Sequence, residues 1–119
     1  MINVLLIEDD LGQLREWVES LDGFEINIET ATSISQAETE FPKKKWALVV
    51  VDGCIGGDDF NSPPLISKMR ETYSGPMIAT SKSSDLCEAM VNAGCDYRVE
   101  KKCFVPANIV HILKLRLPN

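Results

Sequence analysis

Trp46-Ala47-Leu48-Val49-Val50-Val51-Asp52-Gly53 decides the fold. The run is apolar from Trp46 to Val51, carries three valines in succession, and stops at an acid and a glycine. An apolar run without alternation predicts a strand buried on both faces, which marks a central strand of a parallel sheet. Asp52-Gly53 would end it, and a Gly- and Asp-rich loop follows at Gly56, Gly57, Asp58 and Asp59.

The same logic extends outward. Ile2 to Ile7 is a second nearly continuous apolar run. After Glu8-Asp9-Asp10, Leu14, Trp17, Val18 and Leu21 fall on one face of a helix, which Asp22-Gly23 stops. Phe24, Ile26 and Ile28 alternate with polar residues, the pattern of a half-exposed edge strand. Ser33 and Gln36 form a capping box at the start of the next helix. Its residues Ile34, Ala37 and Phe41 face inward, and Pro42 ends it. Beyond the central run, Ser62-Pro63 reads as N-cap and first helical position, with Leu65, Met69 and Tyr73 on one face. Met77 to Thr80 is a short buried strand. Leu86, Met90 and Val91 predict a fourth helix closed by Gly94. Tyr97 and Val99 lie in a fifth strand, and Pro106 opens a last helix with Ile109, Ile112 and Leu113 inward. Five strands alternating with five helices predict a doubly wound parallel α/β sheet over a single domain, residues 1–119.

Composition narrows the function. The chain has 119 residues, 45% hydrophobic and 25% charged, as expected of one globular domain rather than a disordered chain. The apolar runs are too short to span a membrane. Met1 leads straight into Ile2-Asn3-Val4 with no basic segment ahead of an apolar one, so an export signal is not expected and the cytoplasm is. A net charge of -6 argues against direct nucleic-acid binding. Cys54, Cys87, Cys95 and Cys103 form no C-x-x-C pair, and His111 is the single histidine. They read as reduced, mostly buried thiols rather than zinc ligands. Lys43-Lys44-Lys45 reads as a solvated loop, His111 as an ordinary helix residue, and Trp17 and Trp46 as packing residues. Neither a G-x-G-x-x-G nor a G-x-x-x-x-G-K motif is present to cradle a nucleotide.

Doubly wound sheets bind ligands beyond the carboxyl ends of their strands. There this sequence places Glu8, Asp9 and Asp10, then Asp52, then Thr80 and Ser81, then Glu100 and Lys101. Clustered carboxylates repel unless a cation intervenes. Mg²⁺, which prefers oxygen ligands, removes the conflict. The metal and Lys101 would together neutralise a transferring phosphoryl group, with Asp52 as nucleophile and Ser81 as hydroxyl donor. Asp10 would cap the first helix beside them. Lys102 reads as a surface lysine.

Val-Leu-Leu-Ile-Glu-Asp-Asp (4–10), Val-Val-Val-Asp-Gly (49–53), Pro-Met-Ile-Ala-Thr-Ser (76–81) and Gly-Cys-Asp-Tyr-Arg-Val-Glu-Lys (94–101) resemble, in order and spacing, the four signatures of bacterial response-regulator receiver domains. The resemblance covers essentially the whole chain. It implies a flavodoxin-like sheet of order 2-1-3-4-5. Glu8 and Asp9 would be the acidic pair at Mg²⁺, Asp52 the phosphoacceptor, and the Cys54 carbonyl a further metal ligand. Ser81 would be the switch hydroxyl and Lys101 the family's lysine. A histidine kinase, a phosphotransfer protein or a small acyl phosphate would supply the phosphoryl group, and an effector protein or output domain would read the result. The family's activity is self-catalysed aspartyl phosphorylation and dephosphorylation, not turnover of a substrate. Four positions depart from the pattern. Gly56 and Lys102 stand where proline is usual, Lys82 where a small residue is usual, and Arg98 at the aromatic switch position. A modified switch at Arg98 is one expectation. A pseudo-receiver that binds partners without phosphorylation is the alternative.

Overall fold

The computed structural model describes residues 2–57 and 59–117; Met1, Asp58, Pro118 and Asn119 lie outside the described residues. Five parallel strands form one sheet in the order β2-β1-β3-β4-β5: β1 (Ile2–Ile7), β2 (Ile26–Ala31), β3 (Leu48–Asp52), β4 (Met77–Thr80) and β5 (Tyr97–Val99). The helices α1 (Leu11–Ser20), α2 (Ile34–Glu40), α3 (Ser62–Arg70), α4 (Ser84–Ala93) and α5 (Val105–Leu113) connect them, as the alternating pattern predicts.

Side-chain alternation along the strands divides the core in two. Leu5, Ile7, Val49, Val51, Met77 and Ala79 pack with α2, α3 and α4 residues such as Ala37, Leu65, Ile66 and Met90. Val4, Leu6, Leu48, Val50, Ile78 and Val99 pack with Leu14, Trp17, Val105 and Ile109 of α1 and α5. All five residues of β3 are buried, which the unbroken valine run requires of a strand between two helical layers. Parallel register sets Ile7 beside Val51, Asp52 beside Thr80, and Thr80 beside Val99. The ends of four strands therefore meet at one edge.

Local chemistry fixes the helix starts. The Asp10 carboxylate accepts from the Gln13 N–H, the Ser33 hydroxyl from Gln36, and the Ser83 hydroxyl from Leu86. The Gln36 amide oxygen reaches back to the Thr32 N–H at 2.6 Å and the Thr32 hydroxyl at 3.0 Å. Gly94 closes α4 at φ 142°, a backbone that favours glycine, and a Cβ there would lie 2.5 Å from Arg70 Cγ.

Several expectations shift by a residue or a turn. Ser62 is the first residue of α3, and Asn61 precedes it as N-cap. The Asn61 amide is engaged elsewhere, accepting from Ile55 N–H at 2.8 Å and donating to the Ile55 carbonyl at 2.6 Å. Gly53 O accepts from the Asn61 and Ser62 N–H groups at 3.2 and 3.3 Å, which closes the base of the loop. Val18 is exposed while its α1 neighbours Leu14 and Trp17 are buried. Trp46 lies just before β3, where it packs against the core and donates its indole N–H to the Phe41 carbonyl at 2.7 Å. Cys87 and Cys95 are buried as expected, and burial pushes the Cys95 thiol up to about 12. Cys103 is exposed. Lys43 ends a short 3-10 helix, Phe41–Lys43, rather than lying in the expected loop, and it and Lys44 are exposed and paired with Glu40 and Glu29. Among the described residues no helix is long and apolar enough to cross a membrane.

Candidate functional site

Glu8 follows the last residue of β1, and Asp52 is the last residue of β3. Both carboxylates are buried, at 0% and 6% exposure, where an unpaired charge would be costly. Asp9 is half-buried between Glu8 and the start of α1. Carboxylate oxygens from Glu8, Asp9 and Asp52 lie within 4.8 Å of one another. Of the acids expected at the strand ends, Glu8, Asp9 and Asp52 come together, while Asp10 caps α1 and Glu100 pairs with Arg98.

The cation among them is Lys102. Its ammonium lies 2.6 Å from Glu8 Oε2 and 3.1 Å from Asp52 Oδ1, and its side chain is only 19% exposed. This corrects the assignment of Lys101, which is exposed and lies beside Arg98, Glu100 and Phe104. It equally corrects the reading of Lys102 as a surface residue. The physical reason is the path of the chain: β5 stops at Val99, and a 3-10 turn begins at Lys102. Counting along the motif gives no guide to direction once the strand has ended.

Burial raises the Glu8 carboxyl to about 7, helped by the charge of Asp52 and opposed by the bond from Lys102. Burial also raises Asp52, against the charge and hydrogen bond of Lys102 and the Gly53 N–H. Burial alone would lower the Lys102 ammonium, but pairing with Glu8 and Asp52 outweighs it and the net shift is upward. One ammonium, paired with Glu8 and Asp52, stands against a cluster of three acids. The donors are all oxygen, the set that a hard divalent cation such as Mg²⁺ takes.

Ser81, at the end of β4, is 7% exposed. A Cβ placed on Gly53 would touch Ser81 Cβ at 3.5 Å, so Ser81 stands over the turn that follows Asp52. The Ser81 hydroxyl accepts from the Ser83 N–H at 3.3 Å. Thr80 lies beside Asp52 in register, and its buried hydroxyl has no hydrogen-bond partner. Cys54 is half-buried in the turn after β3. Arg98 does not reach the acids. Its guanidinium donates to the Ser84 carbonyl at 2.9 Å and hydroxyl at 2.6 Å and pairs with Glu100 at 2.8 Å, so it ties β5 to the start of α4.

Sequence reading also missed the second role of Trp17. Its indole N–H donates to the Lys102 carbonyl at 2.8 Å, across 85 residues. The available signal was general: a buried tryptophan finds an acceptor for its N–H.

No protein-family model matches the chain, and no curated protein matches it in sequence. Solved structures do match. A two-component response regulator from Clostridium difficile superposes with a TM-score of 0.82 at 18% identity, covering 96% of this chain and 97% of that one. A CheY-like receiver domain protein from Methanospirillum hungatei gives 0.76 at 18% identity, over 96% and 91%. A Burkholderia pseudomallei response regulator, described with a phosphorylated aspartic acid, calcium ion and citrate, gives 0.81 at 17% identity, over 94% and 66%. The chain therefore has the fold of CheY-like response-regulator receiver domains, with the strand order 2-1-3-4-5 that the resemblance implied.

Proposed function

We propose that this chain is a phospho-accepting signalling domain in which Asp52 takes a phosphoryl group and thereby changes the affinity of the surface for a partner. The observation that carries the reading is the buried Asp52 carboxylate, which shares the Lys102 ammonium with Glu8 inside a cluster of three acids. A carboxylate held beside an ammonium and a divalent-cation site has what phosphoryl transfer needs, because that reaction depends on positioning and charge neutralisation. Glu8, Asp9, Asp52 and the Cys54 carbonyl would hold Mg²⁺, which supplies charge neutralisation at the phosphoryl oxygens. Lys102 would supply the second cation, and Ser81 a hydroxyl toward the modified Asp52. The phosphorylated aspartic acid and the cation named for the Burkholderia regulator support the reading by likeness of fold.

The donor would be a histidine kinase, a phosphotransfer protein or a small acyl phosphate. The reader would be an effector protein or an output domain, and the setting the cytoplasm. The acidic charge of -6 disfavours nucleic acid as a direct partner. The chain would act as a switch with self-catalysed aspartyl chemistry rather than as an enzyme with a separate substrate.

The test is intact mass after incubation with a small acyl phosphate, with and without Mg²⁺, for wild type and Asp52→Asn. A single Mg²⁺-dependent phosphoryl adduct, absent from the variant, is the expected result. No adduct under any condition would sink the reading. The Arg98 ties to Ser84 and Glu100 favour a second reading, a pseudo-receiver whose surface works unmodified. Thermal stabilisation by millimolar Mg²⁺ separates the two, because a cation bound only by the folded state raises its stability.

A further inference from the structure

Lys102 opens a 3-10 turn, Lys102–Phe104, in which no residue is buried. Lys101, Cys103 and Phe104 are exposed around it. Such a turn has little packing of its own to hold a lysine in one place, and a lysine side chain is costly in entropy to fix. Yet the Lys102 ammonium sits within hydrogen-bond distance of two buried carboxylates. Something outside the turn must hold its backbone. Val105 and Pro106, buried at the start of α5, anchor one side of the turn, and Trp17, 1% exposed in the α1–α5 core, donates to the Lys102 carbonyl itself at 2.8 Å.

We propose that Trp17 is a positioning residue: its indole N–H holds the Lys102 carbonyl and so aims the ammonium at Glu8 and Asp52. The role deepens the function proposed above and rests on the reading of Lys102 as the cation of phosphoryl transfer. Helix α1 then carries both halves of the charge arrangement. Its first turn starts at Asp10, whose N–H donates to Glu8 at 3.2 Å, and two turns later Trp17 holds the lysine turn. The packing core fixes the indole, the indole fixes the carbonyl, and the carbonyl sets where the side chain begins. The bond is part-buried, and removing the donor leaves the Lys102 carbonyl without this fixed partner.

Trp17→Phe keeps an aromatic ring and removes the donor. Leu21→Val, in the same core cluster and equally buried, controls for loosened packing. Two readouts apply. The first is side-chain NMR of the Lys102 ammonium in metal-free protein, which needs no phosphorylation. A slowly exchanging ammonium signal is expected in wild type and Leu21→Val and not in Trp17→Phe; an unchanged signal in Trp17→Phe would overturn the proposal. The second is the rate of phosphoryl incorporation, expected to fall about tenfold in Trp17→Phe and to stay within about twofold in Leu21→Val. Equal slowing in both variants would reduce Trp17 to packing and likewise overturn it. Lys102→Gln keeps the two ideas apart. If it slows phosphorylation and Trp17→Phe does not, only the positioning role fails. If Lys102→Gln matches wild type, the reading of Lys102 fails, and the NMR comparison still decides what Trp17 does.

Discussion

At the amino end of the sheet Arg70 directs its guanidinium at the carbonyls of Gly94, Tyr73 and Gly75, each within 2.9 Å, and at the Asp96 carboxylate. Asp96 also accepts from the Met77 N–H, so the end of α3, the start of β4 and the turn before β5 form one network. At the carboxyl end Lys102 stands among Glu8, Asp9 and Asp52, with more negative charge than it can match. The first arrangement satisfies one cation with neutral dipoles and one acid. The second leaves acids in competition for one cation, and a buried hydroxyl on Thr80 unpartnered. Charge deficits of this kind are where ligands and modifications act.

The largest effect expected from breaking this contrast is at the amino end. Arg70→Ala should lower unfolding stability by about 3 kcal/mol in denaturant titration, because it strips the partners from several carbonyls and a carboxylate together. At the carboxyl end the sign reverses. Asp52→Asn removes one competing acid and should stabilise the metal-free protein by about 1 to 2 kcal/mol, while abolishing the phosphoryl adduct. Loss of stability in that variant would mean that Lys102 depends on Asp52 more than Glu8 and Asp52 oppose each other.

The smallest effect is with pH. Glu8, raised to about 7, and Asp52, also raised, keep protons in the folded state that the unfolded chain has released. Protons bound more by the folded state mean stability that declines as pH rises. The melting temperature of metal-free protein should therefore fall by a few degrees from the ordinary carboxyl range through about pH 7. Stabilisation by Mg²⁺ should grow over the same range, since the cation takes ionised carboxylates. A melting temperature that rises across this range would show that Lys102 compensates the cluster fully.

The elements were legible because each rests on local signals. The valine run of β3, the caps at Asp10, Ser33 and Ser83, and the glycine after α4 act through neighbours in sequence. The acids were legible because strands bring their ends to one edge whatever the loops do. The lysine was not. Lys101 and Lys102 are adjacent and chemically identical, and only the path of the chain after Val99 decides which one turns inward. The Arg98 bond to Ser84 was hidden for a related reason: Ser84 lies 14 residues away on another element. Trp17 was recognised as packing, but its bond across 85 residues is a fact of tertiary structure alone.

The loop after β3 is tied at its base by Asn61, which brackets Ile55, and by the carbonyl of Gly53. Gly56 and Gly57 lie beyond that knot, with open space where a side chain would begin. Changes in length at this tip should stay local, since the knot insulates the acidic residue before it from the helix after it. That makes the tip a natural graft point, where a short peptide tag or a fluorescent reporter could be spliced into the chain while Asp52 and its neighbours keep their places.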